Sequence, residues 1–520
     1  MRYGTLGEEI NTTEVTDEFE TLQTIKRTKQ NIVGWYFYSF SSEPFVVSAI
    51  ATYIPLLLEQ FARHNGVTLE DHSVHCTADH DKCVLGLFSN RIYIDTSSFA
   101  LYTFSVSVFF QTLVVITVSG VVDIWNTVTF KRNVLLLFGI IGALSTILIS
   151  RIYNTQYYML AFLCILSNSC YGVVNVVGNS LLPLFVSEYL QHNSSSLDER
   201  DNVDILTTLI SGRGASIGYS SALVVQIISI FLIKKSKSSE NIQVATLFVG
   251  IWWLIWQLPM SWLLQDSPIS ADVTPEDMDN LSIHKPKKWI FKFSNLKHGW
   301  SSLFQALKHA KLLKDVVIFL VGWFIVSDSV TTINSTAILF AKTELKMSTL
   351  SLIVLSILTM INAILGAFTI PQFISRKFQL PGEKLLIYII LWASFIPFYG
   401  ILGFVFKNIG LKHKFEMFIT AIWYGISLGG LSAVSRSVFS LIIPRGQEST
   451  FFSIFNVTDK GSSILGPLLI GLITDYTHDI RYSFFLLFAL LILAIPIFHL
   501  LDVERGKKEA SSLQKIPIAD

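Results

Sequence analysis

The chain has 520 residues and a mean hydropathy of +0.53; 51% of its residues are hydrophobic and only 15% are charged. This composition leaves little chain for a soluble catalytic domain, so we expect no enzyme. The net charge of +1 gives no indication of a polyanionic partner, and we expect no nucleic acid. The spacing of Cys and His resembles no metal site, so we expect neither a metal nor a cofactor.

Apolar runs as long as a bilayer is thick recur along the chain. A hydrocarbon core of roughly 30 Å is crossed by about 20 apolar residues in a helix. Lipid offers the backbone no hydrogen bonds, so each run must be helical. About twelve runs are predicted, and their approximate bounds are 34–58, 96–118, 133–150, 157–186, 212–233, 243–264, 315–341, 349–370, 383–404, 414–443, 452–474 and 481–500.

These runs fall into two groups of six around a polar linker. The predicted regions are a tail (1–33), a six-helix bundle (34–264), a linker (265–314), a second six-helix bundle (315–502) and a tail (503–520). Five apolar linker residues recur at helical spacing: Trp300, Leu303, Phe304, Leu307 and Leu312. They indicate an amphipathic helix, either on a membrane surface or packed on the protein.

The positive charges predict the orientation. Basic residues precede the first run, fill the linker and follow the last run, and an even number of spans puts all three on one side. The positive-inside rule then places the linker and both termini in the cytosol, although Lys234, Lys235 and Lys237 disagree. Sequons at Asn11, Asn193 and Asn280 would be cytosolic, so we expect no N-glycans.

The two halves resemble each other in three places. Residues 34–39 (GWYFYS) match 322–327 (GWFIVS), 171–173 (YGV) match 424–426 (YGI), and 213–217 (RGASI) match 460–464 (KGSSI). The matches keep the same order in both halves, which favours an internal repeat over chance similarity. A six-plus-six parallel repeat predicts an all-α membrane protein of the major facilitator type.

Two carboxylates lie at membrane depth. Glu43 is in the first span, and Asp328 is its rough counterpart in the seventh. Ionisable groups cost about 2.5–3.5 kcal/mol in a span and are usually functional. They could carry protons or bind a substrate ammonium group, or they could form structural hydrogen bonds to neighbouring helices.

Polar residues form a stripe in the fourth span. Asn168, Tyr171, Asn175 and Asn179 lie on one helical face. Asn334 follows Asp328, and Asn456 lies in the eleventh span. The stripe predicts a wet pathway; the alternative is hydrogen bonding between helices.

Three cations lie in the spans: Arg213, Arg436 and Lys460. They could bind a substrate carboxylate, or they could form gate salt bridges with a carboxylate such as Asp123 or Asp459. Snorkelling to the interface is a further, inexpensive alternative for such side chains.

Two other features leave alternatives open. Cys76 and Cys83 share one polar loop, so a local disulfide is possible if this loop faces an oxidising lumen. Residues 214–218 (GASIG) match the nucleophile elbow of lipases, but they lie in an apolar helical run without the strand that this motif needs.

Five segments carry a family resemblance. They are 35–45 (WYFYSFSSEPF), 175–183 (NVVGNSLLP), 210–216 (ISGRGAS), 327–336 (SDSVTTINST) and 458–467 (TDKGSSILGP). They closely resemble the autophagy-related protein 22 family of fungi. The resemblance implies a major facilitator fold in the vacuolar membrane and efflux of leucine, isoleucine and tyrosine to the cytosol after autophagic breakdown. It implies no ligand set that can be carried over by residue.

The expected mechanism is alternating access, with possible proton coupling. A zwitterionic amino acid needs a group of each sign: Glu43 or Asp328 for its ammonium, and a helix end, an asparagine or a basic residue for its carboxylate. The partners we expect are the amino acid and the lipid bilayer, with the oligomeric state open. The alternatives are a non-transporting sensor or scaffold in autophagy, and a lipase-like factor for lysis of autophagic bodies.

Overall fold

The computed structural model describes residues 12–69, 74–76, 83–88, 90–193, 201–235, 241–266, 300–301, 304, 313–462, 465–477 and 479–514. Within these ranges the chain is almost entirely helical. The predicted all-α membrane fold is confirmed.

The first membrane-spanning segment is one long helix interrupted by a π-helical segment. Helix α1 (Thr12–Pro44) continues through a π-helical segment (Phe45–Tyr53) into α2 (Ile54–His64). Pro44 has no N–H to donate, so the regular hydrogen-bond ladder cannot pass through it, and the π-helix follows directly.

A small antiparallel sheet lies between the first and second crossings. Its strands are β1 (Val67–Thr68), β2 (Cys83–Leu87) and β3 (Ile92–Asp95), in that order. The structure joins Cys76 to Cys83 by a disulfide with a Cα–Cα distance of 5.9 Å. The structure therefore contains the disulfide that the sequence left open.

The other N-terminal helices are α3 (Thr96–Ile124), α4 (Val128–Ile149), α5 (Tyr157–Asn179), α6 (Leu182–Asn193), α7 (Asp201–Lys235), α8 (Asn241–Trp256) and α9 (Met260–Leu263). The C-terminal half contains α10 (Lys314–Thr343), α11 (Thr349–Thr369), a π-helix (Ile370–Ser375), α12 (Arg376–Phe378), α13 (Gly382–Val405), α14 (Lys414–Ile442), α15 (Glu448–Ser462), α16 (Leu465–Thr477), a 3-10 turn (Ile480–Tyr482), α17 (Ser483–His499) and α18 (Val503–Gln514).

Eleven helices among the described residues are long and apolar enough to cross a membrane. Each corresponds to one predicted run. The remaining run, 452–474, falls on α15 and α16, which flank residues 463 and 464 outside the described part. Large apolar side chains such as Leu101, Phe109 and Phe231 are more than half exposed, as lipid-facing residues are.

Helical structure extends into both predicted tails. Helix α1 begins at Thr12, inside the predicted tail, and α18 occupies most of the tail after 502. Most of the predicted amphipathic linker helix lies outside the described residues. Its first residue, Trp300, is helical and donates a hydrogen bond from Nε1 to Thr117 Oγ1 of α3 at 3.1 Å.

Small residues set the closest helix contacts. Gly425 and Gly429 on α14 face the backbone of α11, where added Cβ atoms would collide with the carbonyls of Thr359 and Ala363. Across the halves, α7 packs on α11 and α14, and α15 packs on α3 and α5. The two bundles thus touch along six helices, and these helices carry most of the predicted site residues.

Candidate functional site

Arg436 of α14 reaches from the C-terminal half into the N-terminal half. Its Nη1 donates to Asn179 Oδ1 at 3.1 Å, its Nε donates to Ser211 Oγ at 3.1 Å, and its Nη2 donates to the Ser211 carbonyl at 3.3 Å. The guanidinium also lies 5.5 Å from the ring of Trp35. Arg436 is 9% exposed, and no carboxylate in the described part of the chain lies within ion-pair distance of it. A buried cation held by neutral partners can accept an anion.

Asn179 connects this arginine to the first crossing. Its Oδ1 accepts the Tyr38 hydroxyl at 3.1 Å, and its Nδ2 donates to Asn175 Oδ1 at 2.7 Å. The Tyr38 hydroxyl also lies 3.2 Å from Asn175 Oδ1. The Trp35 indole donates to the Gly178 carbonyl at 2.7 Å, which fixes the ring beneath the guanidinium. We call Trp35, Tyr38, Asn175, Asn179 and Arg436 the central network.

Glu43 lies beside this network on α1. Gly218 of α7 faces it so closely that an added Cβ would come within 3.3 Å of the Glu43 side chain. The cations whose charges act on the Glu43 carboxylate are Arg436 and Lys460, both from the opposite half. A carboxylate of one half is therefore within electrostatic range of two cations of the other.

The asparagine stripe divides into two parts. Asn168 Nδ2 donates to Ser107 Oγ at 2.9 Å and to Gln111 Oε1 at 3.3 Å, both on α3. This part matches the alternative of hydrogen bonding between helices. Tyr171 is buried against Phe45, with ring centroids 5.7 Å apart, whereas only the later asparagines reach the central network.

Asp328 is buried and accepts the Gly466 N–H at 2.9 Å, in the first turn of α16. A carboxylate in this position satisfies an otherwise unmet helix donor and complements the helix dipole. The structure therefore does not bring Asp328 to the central network, although the repeat makes it a counterpart of Glu43. Of the two further asparagines, Asn334 is exposed on α10 and Asn456 is buried on α15.

The remaining charged candidates are spread over three places. Asp459 Oδ1 accepts the Trp323 indole at 3.0 Å and the Ser327 hydroxyl at 2.6 Å, so it joins α15 to α10 inside the C-terminal half. Lys460 follows it on the same helix, within electrostatic range of Glu43. Arg213 is exposed on α7, beside Tyr36.

Asp123 joins the halves at the end of α3. Its two carboxylate oxygens accept the Ser449 N–H at 2.9 Å and the Thr450 N–H at 2.8 Å, at the start of α15. Asp123 thus caps a helix of the opposite half, a contact that the positive end of the helix dipole strengthens. This is a contact between halves, as a gate requires, but its partner is a helix end and not Arg213, Arg436 or Lys460.

Three groups at this interface went unnoticed in the sequence. Ser211 bonds to Arg436 and also donates to the Ala433 carbonyl at 2.7 Å, and the Tyr38 hydroxyl bonds to Asn175 and Asn179. Lys131 is fully buried, and its Nζ lies 3.3 Å from the Ser180 carbonyl. Because α4 begins at Val128 and not at 133, this lysine is within a helix, and a longer window over that run would have found it.

Known proteins resemble this chain over almost its whole length. The family model described as "Vacuole effluxer Atg22 like" matches residues 27–511. Autophagy-related protein 22 of Saccharomyces cerevisiae (strain YJM789) is 60% identical over 532 residues, which cover 99% of this chain and 98% of the relative. The protein of the same name from Candida glabrata is 58% identical, covering 100% of this chain and 99% of the relative.

Solved structures show the fold. The human organic anion transporter MFSD10 (TETRAN) superposes with a TM-score of 0.63 at 10% identity, covering 91% of this chain and 99% of that one. The proton:xylose symporter XylE, a major facilitator superfamily protein, gives 0.59 at 12% identity, with 95% and 99% covered. The chain belongs to the Atg22-like family of autophagy-related, multi-pass membrane transporters, which is built here on the major facilitator fold.

Proposed function

We propose that this protein exports amino acids, among them leucine, isoleucine and tyrosine, from the vacuolar lumen to the cytosol by alternating access. Membership of the vacuole effluxer family supports the direction and the membrane. The substrate class is supported by the division of charge: Arg436 and Lys460 belong to one half and Glu43 to the other, close enough for their charges to interact.

This arrangement suits a zwitterion. A substrate carboxylate would bind the Arg436 guanidinium, a planar donor that pairs well with carboxylates, and the ammonium would bind Glu43. Because each charge belongs to a different half, one bound amino acid would neutralise both and draw the halves together.

The contacts between halves support a particular resting state. Asp123, Ser211 and Arg436 all join the halves near the side that holds both chain ends. In the predicted orientation this side faces the cytosol. The resting state would therefore be closed to the cytosol and would accept substrate from the lumen.

Proton coupling is the second part of the proposal. The vacuolar lumen is acidic, so a proton leaving with the amino acid would run downhill, and Glu43 is the carboxylate placed to carry it. Release of radiolabelled leucine from vesicles should be faster with an acidic lumen than without a pH gradient. An equal rate in both conditions would remove the coupling.

Counterflow in proteoliposomes tests the transport itself. Vesicles preloaded with leucine should accumulate labelled leucine, isoleucine and tyrosine. Arg436→Gln should lower this uptake about tenfold or more, because a charge-assisted hydrogen bond is worth about 1.5–3 kcal/mol. Arg151→Gln, at an exposed arginine outside the network, is the matched control and should leave uptake unchanged.

The two alternatives predict different results. A sensor or scaffold would bind an amino acid saturably without counterflow. A lipase-like factor would need Ser216 at a strand-to-helix turn, whereas Ser216 lies in the middle of α7, and Ser216→Ala should not change transport.

A further inference from the structure

The C-terminal helix α18 belongs to one half but contacts the other. It packs on α14 and α10 of the C-terminal half. Its Lys507 reaches across to Asp204 at the start of α7, with Nζ 2.7 Å from Oδ1. Among the described residues this is the one ion pair that joins the two halves.

Several contacts fix the base of α18. Arg505 donates to both oxygens of the fully buried Asp315, Nε to Oδ2 at 2.7 Å and Nη2 to Oδ1 at 2.6 Å. The Asp502 N–H also donates to Asp315 Oδ1 at 2.9 Å, and the Val503 N–H donates to Glu383 Oε2 at 2.9 Å. The helix is therefore a rigid part of the C-terminal half and not a loose tail.

A glycine brings this helix close to the bundle. Gly506 lies against Ile442, the last residue of α14, and an added Cβ would come within 2.7 Å of the Ile442 side chain. The close approach at Gly506 positions the neighbouring Lys507 toward α7.

The environment of Lys507 keeps it charged. Partial burial of its ammonium disfavours the charge, but the carboxylates of Asp204 and Glu504 outweigh this effect and raise the pKa of Lys507. Glu504 lies one turn earlier, 2.8 Å from the same Nζ, so the ammonium contacts two carboxylates.

We propose that α18 is a latch: the Lys507–Asp204 pair holds the halves together on the side of the chain ends, and it must break each time that side opens. The start of α7 and the end of α14 separate in that step, and α18 moves with α14 because Arg505 and Asp315 bind it there. The latch sets how often this side opens, whichever solute is carried.

The latch and the central network have no residue in common. It uses only side chains outside the predicted substrate route, and its loss leaves Arg436 and Glu43 intact. Removal should therefore change the rate of opening and not the affinity for substrate.

Labelling of a cysteine at the interface tests the latch. Ser437 of α14 is fully buried, with its Oγ 2.8 Å from the Thr208 hydroxyl of α7. In full-length protein lacking the free Cys164 and Cys170, Ser437→Cys should react slowly with a maleimide. Lys507→Ala and Asp204→Ala should each speed this reaction roughly twofold to fivefold, the range expected for a partly exposed ion pair.

Three controls make the result decisive. Lys508→Ala, at the exposed neighbouring lysine, should leave the rate unchanged. The double variant Asp204→Ala/Lys507→Ala should be no faster than either single variant, and the swap Asp204→Lys/Lys507→Asp should be slower than both. Wild-type labelling in Lys507→Ala and Asp204→Ala, equal acceleration by Lys508→Ala, or a swap as fast as the single variants would overturn the latch.

Discussion

At the scale of single residues, the same residue type plays two different roles in this protein. Asn168 and Asn179 lie on one face of α5, yet Asn168 bonds to a neighbouring helix of its own half while Asn179 bonds to Arg436 of the other. Spacing along the helix identifies the polar face but contains no information about what lies opposite. We therefore propose that the functional part of the stripe is the part that faces the other half.

Tyr38 offers a mild test of the central network. Tyr38→Phe removes a hydroxyl that bonds to Asn175 and Asn179, while Arg436 keeps its own contact with Asn179. We expect the apparent affinity for leucine to fall about twofold to tenfold, the value of one neutral hydrogen bond, with normal protein yield. Tyr153→Phe, at a tyrosine that is 76% exposed, is the control; equal counterflow by both variants would contradict the assignment.

Asp328 should respond differently from Glu43. We propose that it caps α16, so Asp328→Asn, which keeps an oxygen acceptor for the Gly466 N–H, should retain most transport. Asp328→Ala removes the acceptor and should cost about 1–3 kcal/mol of stability. Thermal unfolding in detergent measures this loss of stability. Loss of counterflow in a stable Asp328→Asn variant would contradict the structural role and indicate that Asp328 acts in transport.

At the scale of elements, one loop of the C-terminal half is held by two charged side chains. Glu416 accepts hydrogen bonds from the Tyr399 hydroxyl at 2.9 Å and from the Leu411 N–H at 2.6 Å. Arg481 donates to the carbonyls of Gly410 and Leu411, at 3.0 Å each. Leu411 has a φ of 60°, a strained conformation for a residue with a side chain, which these bonds offset.

Removal of the Glu416 charge should destabilise this loop. Glu416→Gln weakens several charge-assisted bonds at once and should lower the free energy of unfolding by about 1.5–3 kcal/mol. Counterflow per folded molecule should stay unchanged, since the loop is remote from the central network. Glu344→Gln, at an exposed glutamate, is the control, and an equal shift in both melting temperatures would contradict the role of Glu416.

The contact between α11 and α14 depends on a missing side chain. Gly429→Ala would drive a Cβ into the Ala363 carbonyl and should reduce the yield of folded protein. Gly471→Ala is a matched control, because nothing lies within 4 Å of the Cβ it adds, and alanine is the better helix former. Equal yields from the two variants would show that close approach at Gly429 is not needed.

At the scale of the whole molecule, the sequence predicts the spans well and the site only in part. Hydropathy identifies the crossings because lipid imposes one length on all of them, and eleven of about twelve are found in the described chain. Contacts between the halves are harder to predict from the sequence. Asp123 accepts hydrogen bonds from the start of a helix, and Arg436 donates to an asparagine and a serine. The spacing of residues along one helix cannot predict hydrogen-bond partners that lie hundreds of residues away in the sequence.

We propose that opposite charges on the two halves recognise both ends of an amino acid. Competition in the leucine counterflow assay tests it most directly, with leucinamide, which lacks the carboxylate, and isocaproate, which lacks the ammonium. Unlabelled leucine should abolish uptake of the label, and neither analogue should compete at the same concentration. If either analogue competes as well as leucine, recognition does not require both charges and the account fails.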